Sequence, residues 1–300
     1  MGKIMFREIR MSKKNQERLE QINEIIEEYQ QQGYVLTLRQ LYYQLVSRDV
    51  VPNKAAEYSK LSVLLKEGRM AGVVDWDAIE DRLRKPSKPS SWDSPAQIID
   101  SCISQYRKPR QEGQDVYLEV WVEKDALSGV LKRVTEKYGI PIVVNRGYSS
   151  ASAMFDAYNR MAKHAGSERK SKILYLGDFD PSGVDMIRDI RERLQEFING
   201  SSDSVVYDMD FEVDAIALTQ QQIKHYNPPP NPAKITDPRA KDFVRKFGGL
   251  SWEVDALRPE VLHKVLEDAI LENIDLQAYK TILQQEDKER EALENLKTYL

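Results

Sequence analysis

In the first third of the chain, apolar residues recur every three or four positions, which predicts a series of short helices. The predicted helices cover about 15–31, 38–47 and 54–72. Thr37 and Asn53 stand where the N-caps of the second and third helices are expected. Three short helices followed by an irregular segment are typical of a helix-turn-helix or winged-helix module, and a plain helical bundle is the alternative.

From about residue 115 the pattern changes to apolar strands that alternate with amphipathic helices. The predicted strands are 115–123, 140–147, 171–180 and 210–218, and the predicted helices between them are 126–139, 150–166 and 182–198. Near-continuous apolar strands separated by helices predict an α/β fold with a parallel sheet that is covered on both faces. A proline-rich loop at 225–239 and two helices are expected to complete the chain.

A Pro- and Ser-rich segment separates these two patterns. Residues 85–95 read "KPSKPSSWDSP", a composition typical of a linker or a wing, and a helix over about 95–107 is expected to follow. We therefore predict an N-terminal helical domain over 1–95 and an α/β domain with a C-terminal helical extension over 96–300.

Composition and charge refine this division. The chain has 300 residues, of which 41% are hydrophobic, so it can bury the cores of two domains. No run approaches 18 apolar residues, the first residues do not resemble a signal peptide, and there is a single cysteine, so we expect a cytoplasmic protein without membrane contact. Residues 1–110 carry 19 basic and 15 acidic residues, and the remainder carries 25 and 33. This asymmetry suits an N-terminal region that contacts DNA, joined to a remainder that binds cations. A random distribution of charged surface residues would also explain it.

Carboxylates stand at the ends of two predicted strands. Glu123 ends the first strand, and Asp178 and Asp180 end the third. Sites in open parallel sheets lie beyond the carboxyl ends of the strands, and carboxylate oxygens are suitable ligands for Mg²⁺. The three residues therefore form a candidate Mg²⁺ site.

The second helix contains two adjacent tyrosines whose helical phases differ. Tyr42 belongs to the apolar stripe of this helix, whereas Tyr43 lies about 100° away from it and shares a face with Arg39. We expect Tyr43 to be an exposed phenol that can act as a nucleophile, with Arg39 holding a phosphate and favouring the phenolate. The alternative is a surface tyrosine stacked on an arginine.

Four segments resemble a known family. "WVEKDAL", "NRGYSSAS", "LYLGDFDPSGVDM" and "WEVDAL" are similar to the Toprim domain of the topoisomerase VI A subunit and of the related meiotic double-strand-break protein. In that family a winged-helix domain precedes the Toprim domain, and "RQLYY" fits its Arg-x-x-aromatic-Tyr motif, with Tyr43 in the place of the tyrosine that attacks DNA. Glu253 and Asp255 resemble family positions near the acidic site.

The resemblance implies a Mg²⁺-dependent, type IIB topoisomerase-like enzyme that breaks double-stranded DNA through a 5′-phosphotyrosyl intermediate. It implies Tyr43 and Arg39 as catalytic residues and Glu123, Asp178 and Asp180 as metal ligands. The implied working form is a homodimer in which the tyrosine of one subunit meets the metal site of the other. An ATPase B-type subunit is a further partner in the family, although no segment for docking it is evident. Two alternatives stay open: a Toprim nuclease that uses metal-activated water, and a non-catalytic DNA-binding protein that needs a partner.

Basic residues indicate where DNA would contact the N-terminal domain. On the third helix Lys54, Lys60, Lys66 and Arg69 are expected to face DNA, with solvated side chains as the alternative. Arg239, beside the proline-rich loop, is a further candidate for contact with the DNA backbone.

Overall fold

The computed structural model describes most of the chain and gives it a mixed α/β fold, as the sequence predicts. The described residues are 2–80, 89–145, 147–165, 169–207, 209–233 and 237–297. The predicted linker at 85–95 therefore lies partly outside the described residues. The division into domains at residue 95 stays a prediction.

The three N-terminal helices form where the sequence predicts them. They are α1 (Lys13–Gln31), α2 (Leu38–Ser47) and α3 (Ala55–Met70). At the start of α2, Thr37 and Gln40 cap each other's backbone N–H groups in a reciprocal capping box. This arrangement satisfies backbone donors that a helix start otherwise leaves without partners.

The predicted cap of α3 is wrong. No side chain caps this helix, and the residue that flanks it is Lys54. Asn53 instead donates from Nδ2 to Oδ1 of Asn231 at 2.8 Å, and its own Oδ1 accepts from the Tyr42 hydroxyl at 3.2 Å. The Asn53 side chain therefore joins the helical region to the C-terminal half of the chain.

The N-terminal helices enclose a hydrophobic core of their own. Its buried side chains come mainly from α1 and α2, including Leu19, Ile22, Tyr29, Leu41 and Leu45. The core also takes in Ala256, which lies far along the sequence. The helical region and the α/β region therefore share a packed boundary.

Four parallel strands form the central sheet. They are β1 (Val116–Val122), β2 (Ile142–Val144), β3 (Lys170–Leu176) and β4 (Phe211–Ala217), and their spatial order is β2-β1-β3-β4. All the pairings are parallel, and β1 and β3 are neighbours along their whole length. The parallel sheet predicted from the apolar runs is confirmed.

Helices cover both faces of this sheet. Leu118, Val120 and Val122 face one side, where α5 (Ser128–Tyr138) and α11 (Pro259–Leu271) pack. Tyr117 and Trp121 point to the other side, where α6 (Ala151–Ala162) and α7 (Pro181–Asn199) pack. Successive strand residues alternate between faces, so each strand contributes to both cores.

The remaining helices and strands lie before β1, between α7 and β4, and after β4, and the region after β4 has more of them than the sequence predicts. The remaining elements are α4 (Pro95–Gln105), α8 (Ser204–Tyr207), α9 (Gln220–Tyr226), β5 (Asn231–Pro232), α10 (Ala240–Phe247), β6 (Leu250–Ser251) and α12 (Leu276–Lys297). The expected proline-rich loop contains β5, which pairs with β6 in an antiparallel ribbon. Within the described ranges, no helix has both the length and the apolar character needed to cross a bilayer.

Candidate active site

The carboxylates predicted at the strand ends lie at one edge of the sheet. Val122 and Leu176 are paired in register, so the residues that follow β1 and β3 leave the sheet side by side. Oε2 of Glu123 accepts a hydrogen bond from the backbone N–H of Asp178 at 2.9 Å. Asp180 is the N-cap of α7, and its Oδ1 accepts from the N–H of Gly183 at 2.7 Å. The sheet topology therefore brings the three predicted ligands into one neighbourhood.

Two further acids enter this neighbourhood from the turn Val254–Ala256 and the residue before it. Phe179 and Trp252 exchange backbone hydrogen bonds at 2.8 and 3.0 Å, and the N–H of Val254 donates to Oδ1 of Asp178 at 2.8 Å. One carboxylate oxygen from each of Asp178, Glu253 and Asp255 lies within 4.8 Å of the others. This acidic cluster therefore consists of Asp178, which was predicted as a metal ligand, and of Glu253 and Asp255, which were not.

Two cations hold this cluster together. Nζ of Lys124 lies 2.7 Å from Oδ1 of Asp178 and 3.0 Å from Oδ1 of Asp255, and it also contacts Glu253. Arg39 lies 2.5 Å from Oε2 of Glu253 and 2.6 Å from Oδ2 of Asp255. Because Arg39 belongs to α2, these ion pairs connect the helical region to the edge of the sheet.

Tyr43 is buried, so its predicted exposure is wrong. The residue is only 4% exposed, and the Arg39 guanidinium lies 5.7 Å from the centre of its ring. The turn Val254–Ala256 packs against α2 on the side that the helix pattern leaves polar. Tertiary contact therefore covers a position that the pattern of α2 alone would expose.

The predicted effect of Arg39 on the pKa of the tyrosine is present, but the surroundings of the phenol outweigh it. Burial raises the pKa of Tyr43 to about 12, and the charges of Asp255 and Glu253 contribute to this rise. Arg39 and Lys124 act in the opposite direction but do not outweigh these causes. In this conformation the phenol is held protonated near neutral pH.

The pKa values of three carboxylates at the site are shifted in different directions: those of Asp178 and Glu123 are raised, and that of Glu253 is lowered. Burial raises the pKa of Asp178 well above its ordinary value, Lys124 opposes the shift, and the other acids reinforce it. Burial also raises the pKa of Glu123. For Glu253, burial acts in the same direction, but Lys124 and Arg39 outweigh it and lower the pKa to about 2.

The site fits a hard divalent cation. The acids present are Glu123, Asp178, Asp180, Glu253 and Asp255, which exceed the two cations by three formal charges when all are ionised. Burial is the main cause of the raised pKa values of Glu123 and Asp178, and a divalent ion beside these oxygens would favour their ionised forms. Carboxylates without histidine or cysteine are a donor set typical of Mg²⁺ rather than of zinc.

A cleft joins the predicted nucleophile to these acids. It has a volume of about 410 Å³ and lies between α2, the start of α3 and the loops that follow β3 and β6. Its walls include Arg39, Tyr43, Asp178, Asp180 and Glu253. The tyrosine and the acidic groups of one chain therefore line the same cleft.

The basic residues predicted on α3 line two different clefts. Lys66 and Arg69 line a cleft beside α2, whereas Lys60 lines a separate cleft with Lys14 and pairs with Glu57 at 2.7 Å. The guanidinium of Arg69 donates to the backbone oxygens of Trp76 and Ile79, both at 2.9 Å. These side chains are therefore spread around the helix, and their contact with DNA stays a prediction.

The other two basic candidates lie near the acidic edge. Lys54 is exposed and directly precedes α3, and its backbone N–H donates to the Tyr42 hydroxyl at 2.8 Å. Arg239 pairs with Asp185 at 2.8 Å and with Asp237 at 3.3 Å. Contact of either side chain with DNA stays a prediction, and Arg239 would have to exchange its present partners to make it.

Three residues that were not among the predicted site residues take part in the ion pairs of the site: Lys124, Glu253 and Asp255. Lys124 directly follows Glu123, and a strand-end acid with an adjacent lysine carries little signal by itself. Glu253 and Asp255 lie in the sequence "SWEVDAL", which resembles family positions but shows no local sign of its contact with Asp178.

Several of the short sequence segments quoted above meet at this site. The structure brings three of the quoted motifs together, since Glu123, Asp178 and Glu253 each belong to a different one. No protein-family model matches the sequence, and no curated protein matches it either.

Proposed function

We propose that this protein is a Mg²⁺-dependent DNA-cleaving transesterase of the type IIB topoisomerase A-subunit kind. The observation that carries the proposal is the shared cleft, in which Tyr43 and Arg39 of α2 lie opposite Asp178 and Asp180 at the sheet edge. A nucleophile, a phosphate-binding cation and a set of hard metal ligands are the parts that phosphodiester transesterification requires.

Each group has a role in this reaction. The Tyr43 hydroxyl releases its proton to solvent as Oη attacks the phosphorus, the bond to the 3′ oxygen breaks, and the 5′ phosphate stays attached to the tyrosine. The 3′ oxygen leaves as a hydroxyl after taking up a proton. Arg39 binds the non-bridging phosphate oxygens. Asp178, with Glu123, Asp180, Glu253 and Asp255 around it, would hold Mg²⁺, which supplies stabilisation of the charge that develops on the phosphate.

The reaction requires a conformation more open than the one described. Tyr43 is buried and its pKa is about 12, and Arg39 is engaged by Glu253 and Asp255. A phosphate that binds Arg39 would replace these carboxylates as the partner of the guanidinium. The proposal therefore includes movement of α2 relative to the turn at 254–256.

A homodimer remains the form that the family resemblance favours for double-strand breaks. Within one chain, however, Tyr43 already lines the cleft that contains Asp178. Mixing two inactive variants tests which arrangement operates. If Tyr43→Phe and Asp178→Ala subunits regain cleavage when mixed, the tyrosine acts on the metal site of its partner.

A covalent-trapping experiment tests the proposed reaction. Supercoiled plasmid is incubated with the protein and Mg²⁺, and the mixture is denatured with detergent. We expect DNA ends that carry protein, and we expect both Tyr43→Phe and Asp178→Ala to abolish them. Adducts that persist in Tyr43→Phe would exclude Tyr43 as the nucleophile.

One observation favours a second candidate, a nuclease that uses metal-activated water. The burial and raised pKa of Tyr43 hinder its attack, whereas Asp178, Asp180 and Glu253 line a cleft. This candidate predicts DNA cleavage that leaves no protein adduct, survives Tyr43→Phe and is lost in Asp178→Ala. The same plasmid assay therefore separates the two reactions.

A further inference from the structure

A second cleft lies next to the candidate active site. Its volume is about 640 Å³, and it is enclosed by α2, α3, the segment around Trp76 and the turn Asp125–Leu127 after β1. Volumes of this size accommodate small organic ligands of about the size of a mononucleotide. The cleft has no role in the reaction described above.

The two clefts share a wall. Arg39 and Tyr58 line both of them, with the acidic groups on one side and the second cleft on the other. A linear ligand with one phosphate bound at Arg39 would therefore continue into the second cleft. A DNA strand is a ligand of this kind.

The second cleft combines an apolar lining with aromatic rings and an exposed cation. Val63 is 53% exposed, although it lies in the middle of α3. Tyr58 and Trp76 line the cleft, and Lys66 contributes an exposed ammonium group. Aromatic faces with a nearby cation are the usual means by which proteins bind single-stranded nucleic acid.

The charges of the lining suit one phosphate group rather than a polyanion. Its cations are Arg39, Lys66 and Arg69, and its acids are Glu80 and Asp125. Arg69 already donates to two backbone oxygens and Arg39 faces the acidic site, so Lys66 is the cation best placed for an incoming phosphate.

We propose that this cleft binds an unpaired nucleotide of the DNA strand being cut, with the base against Tyr58 and Trp76 and the phosphate toward Lys66. The inference rests on the proposed function, because it takes the strand from the site at Arg39. A paired base presents only its edges to a protein, whereas an unpaired base also presents a face that can stack on an aromatic ring. The enzyme would accordingly prefer DNA that is unpaired or easily opened next to the cleavage position.

The test is a binding measurement that does not require cleavage. Tyr43→Phe protein with Ca²⁺ in place of Mg²⁺ is titrated into short oligonucleotides that carry one 2-aminopurine, which is placed in a single strand, in a duplex mismatch or in a full duplex. Anisotropy of a terminal dye gives the affinity, and 2-aminopurine fluorescence reports stacking. We expect fluorescence to fall in the first two probes and affinity to be lowest for the full duplex.

Substitutions within the cleft should act differently from a matched one outside it. We expect Tyr58→Leu to weaken single-strand binding about tenfold and Tyr58→Phe to restore it, because stacking needs the ring. Lys66→Ala should lower the salt dependence of binding by about one counterion. The control is Lys14→Ala, since Lys14 is also exposed but lines the separate cleft that contains Lys60, and it should leave binding unchanged.

Three results would overturn the inference: equal affinity for all the probes, equal effects of Lys66→Ala and Lys14→Ala, or no binding of nucleic acid. Tyr58 packs edge to face on Tyr42, so thermal unfolding must first establish that its variants fold. If Tyr58→Leu does not fold, the comparison of Lys66 with Lys14 decides the matter. Trapping of wild-type protein on plasmid is scored separately, so the cleft and the transesterase reaction can fail independently of each other.

Discussion

Removal of the Arg39 side chain charge should destabilise the fold, because this residue bridges the two halves of the chain. In Arg39→Gln, Oδ2 of Asp255 loses the guanidinium that lies 2.6 Å away, while Asp255 itself is fully buried. Lys124 remains 3.0 Å from Oδ1 of the same carboxylate. The variant therefore leaves a buried acid with half of its positive partners.

The magnitude follows from distance and burial. Unit charges 2.6 Å apart attract by about 6 kcal/mol at an effective dielectric constant of about 20, before desolvation is subtracted. Removal of one partner from a buried pair costs about 3–5 kcal/mol. The Arg39 side chain is 41% exposed, its contact with Asp255 lies outside hydrogen-bond geometry, and Lys124 remains, so we expect about 2 kcal/mol. For a chain of 300 residues that loss corresponds to a decrease in Tm of about 3 °C.

The assay is urea and thermal unfolding of Arg39→Gln, Asp255→Asn and the double variant. The coupling free energy between the two positions should be about 1 kcal/mol or more. Either single substitution already removes the ion pair between Arg39 and Asp255, so the second substitution has no ion pair left to remove. The control is Arg48→Gln at the end of α2, whose pair with Glu28 at 2.6 Å is partly exposed and should contribute less than about 1 kcal/mol. If Arg39→Gln costs no more than Arg48→Gln, or if the two site variants are additive, the ion-pair reasoning is refuted.

Three further predictions follow. At neutral pH, Mg²⁺ should raise the Tm of the wild type, and at 100 times its Kd the ion should add about 2.7 kcal/mol to the free energy of unfolding. The Tm of Asp178→Asn should change little in the same titration. The pKa of Glu286 is lowered to about 2 because Arg110, the Lys108 N–H and Arg290 outweigh its burial. Its contribution to stability, up to about 3 kcal/mol, is therefore present above pH 4.5 and is lost as the pH falls toward 2. In Glu286→Gln, the free energy of unfolding should fall less steeply between these pH values than in the wild type. Thr37→Ala removes one half of the capping box on α2 and should cost about 1 kcal/mol in urea unfolding, and a cost near zero would show that tertiary packing alone holds the start of the helix.

Local patterns were sufficient for the elements whose signals lie within a few residues. The capping box at Thr37 depends on Gln40 three positions later, and the strands β1 and β3 are marked by apolar runs. The position of Glu123 beside Asp178 followed from the rule that parallel strands place their carboxyl ends at one edge. These features required no knowledge of how distant segments pack.

Distant packing explains what the patterns missed on α2. An amphipathic stripe assumes that a helix buries one side, but every residue from Gln40 to Val46 is buried. Gln44 is accommodated because its Oε1 accepts from the buried Tyr29 hydroxyl at 2.8 Å. Tyr43 is covered on the remaining side by a turn more than 200 residues later, and no periodicity within ten residues encodes that contact.

The acidic cluster was incompletely predicted for a similar reason. Glu253 joins Asp178 because Phe179 and Trp252 form a backbone bridge across about 70 residues of sequence. The acid residues themselves are unremarkable in a chain with 48 of them. Their significance comes from the three-dimensional register of two loops rather than from residue type.

The charges that line the cleft should make the binding of Mg²⁺ and the binding of DNA depend on each other. With Lys124 and Arg39 as its only cations among the described contacts, the group of five acids would repel a DNA phosphate. A divalent ion would reduce that excess by two charges and compete with Lys124 for Asp178. A phosphate would compete with Glu253 and Asp255 for Arg39, which would loosen the contact that buries Tyr43. The same ion pairs that close the cleft therefore make metal and DNA binding mutually favourable, so the DNA affinity of Tyr43→Phe protein should rise on addition of Mg²⁺, and this gain should disappear in a protein that also carries Asp178→Asn.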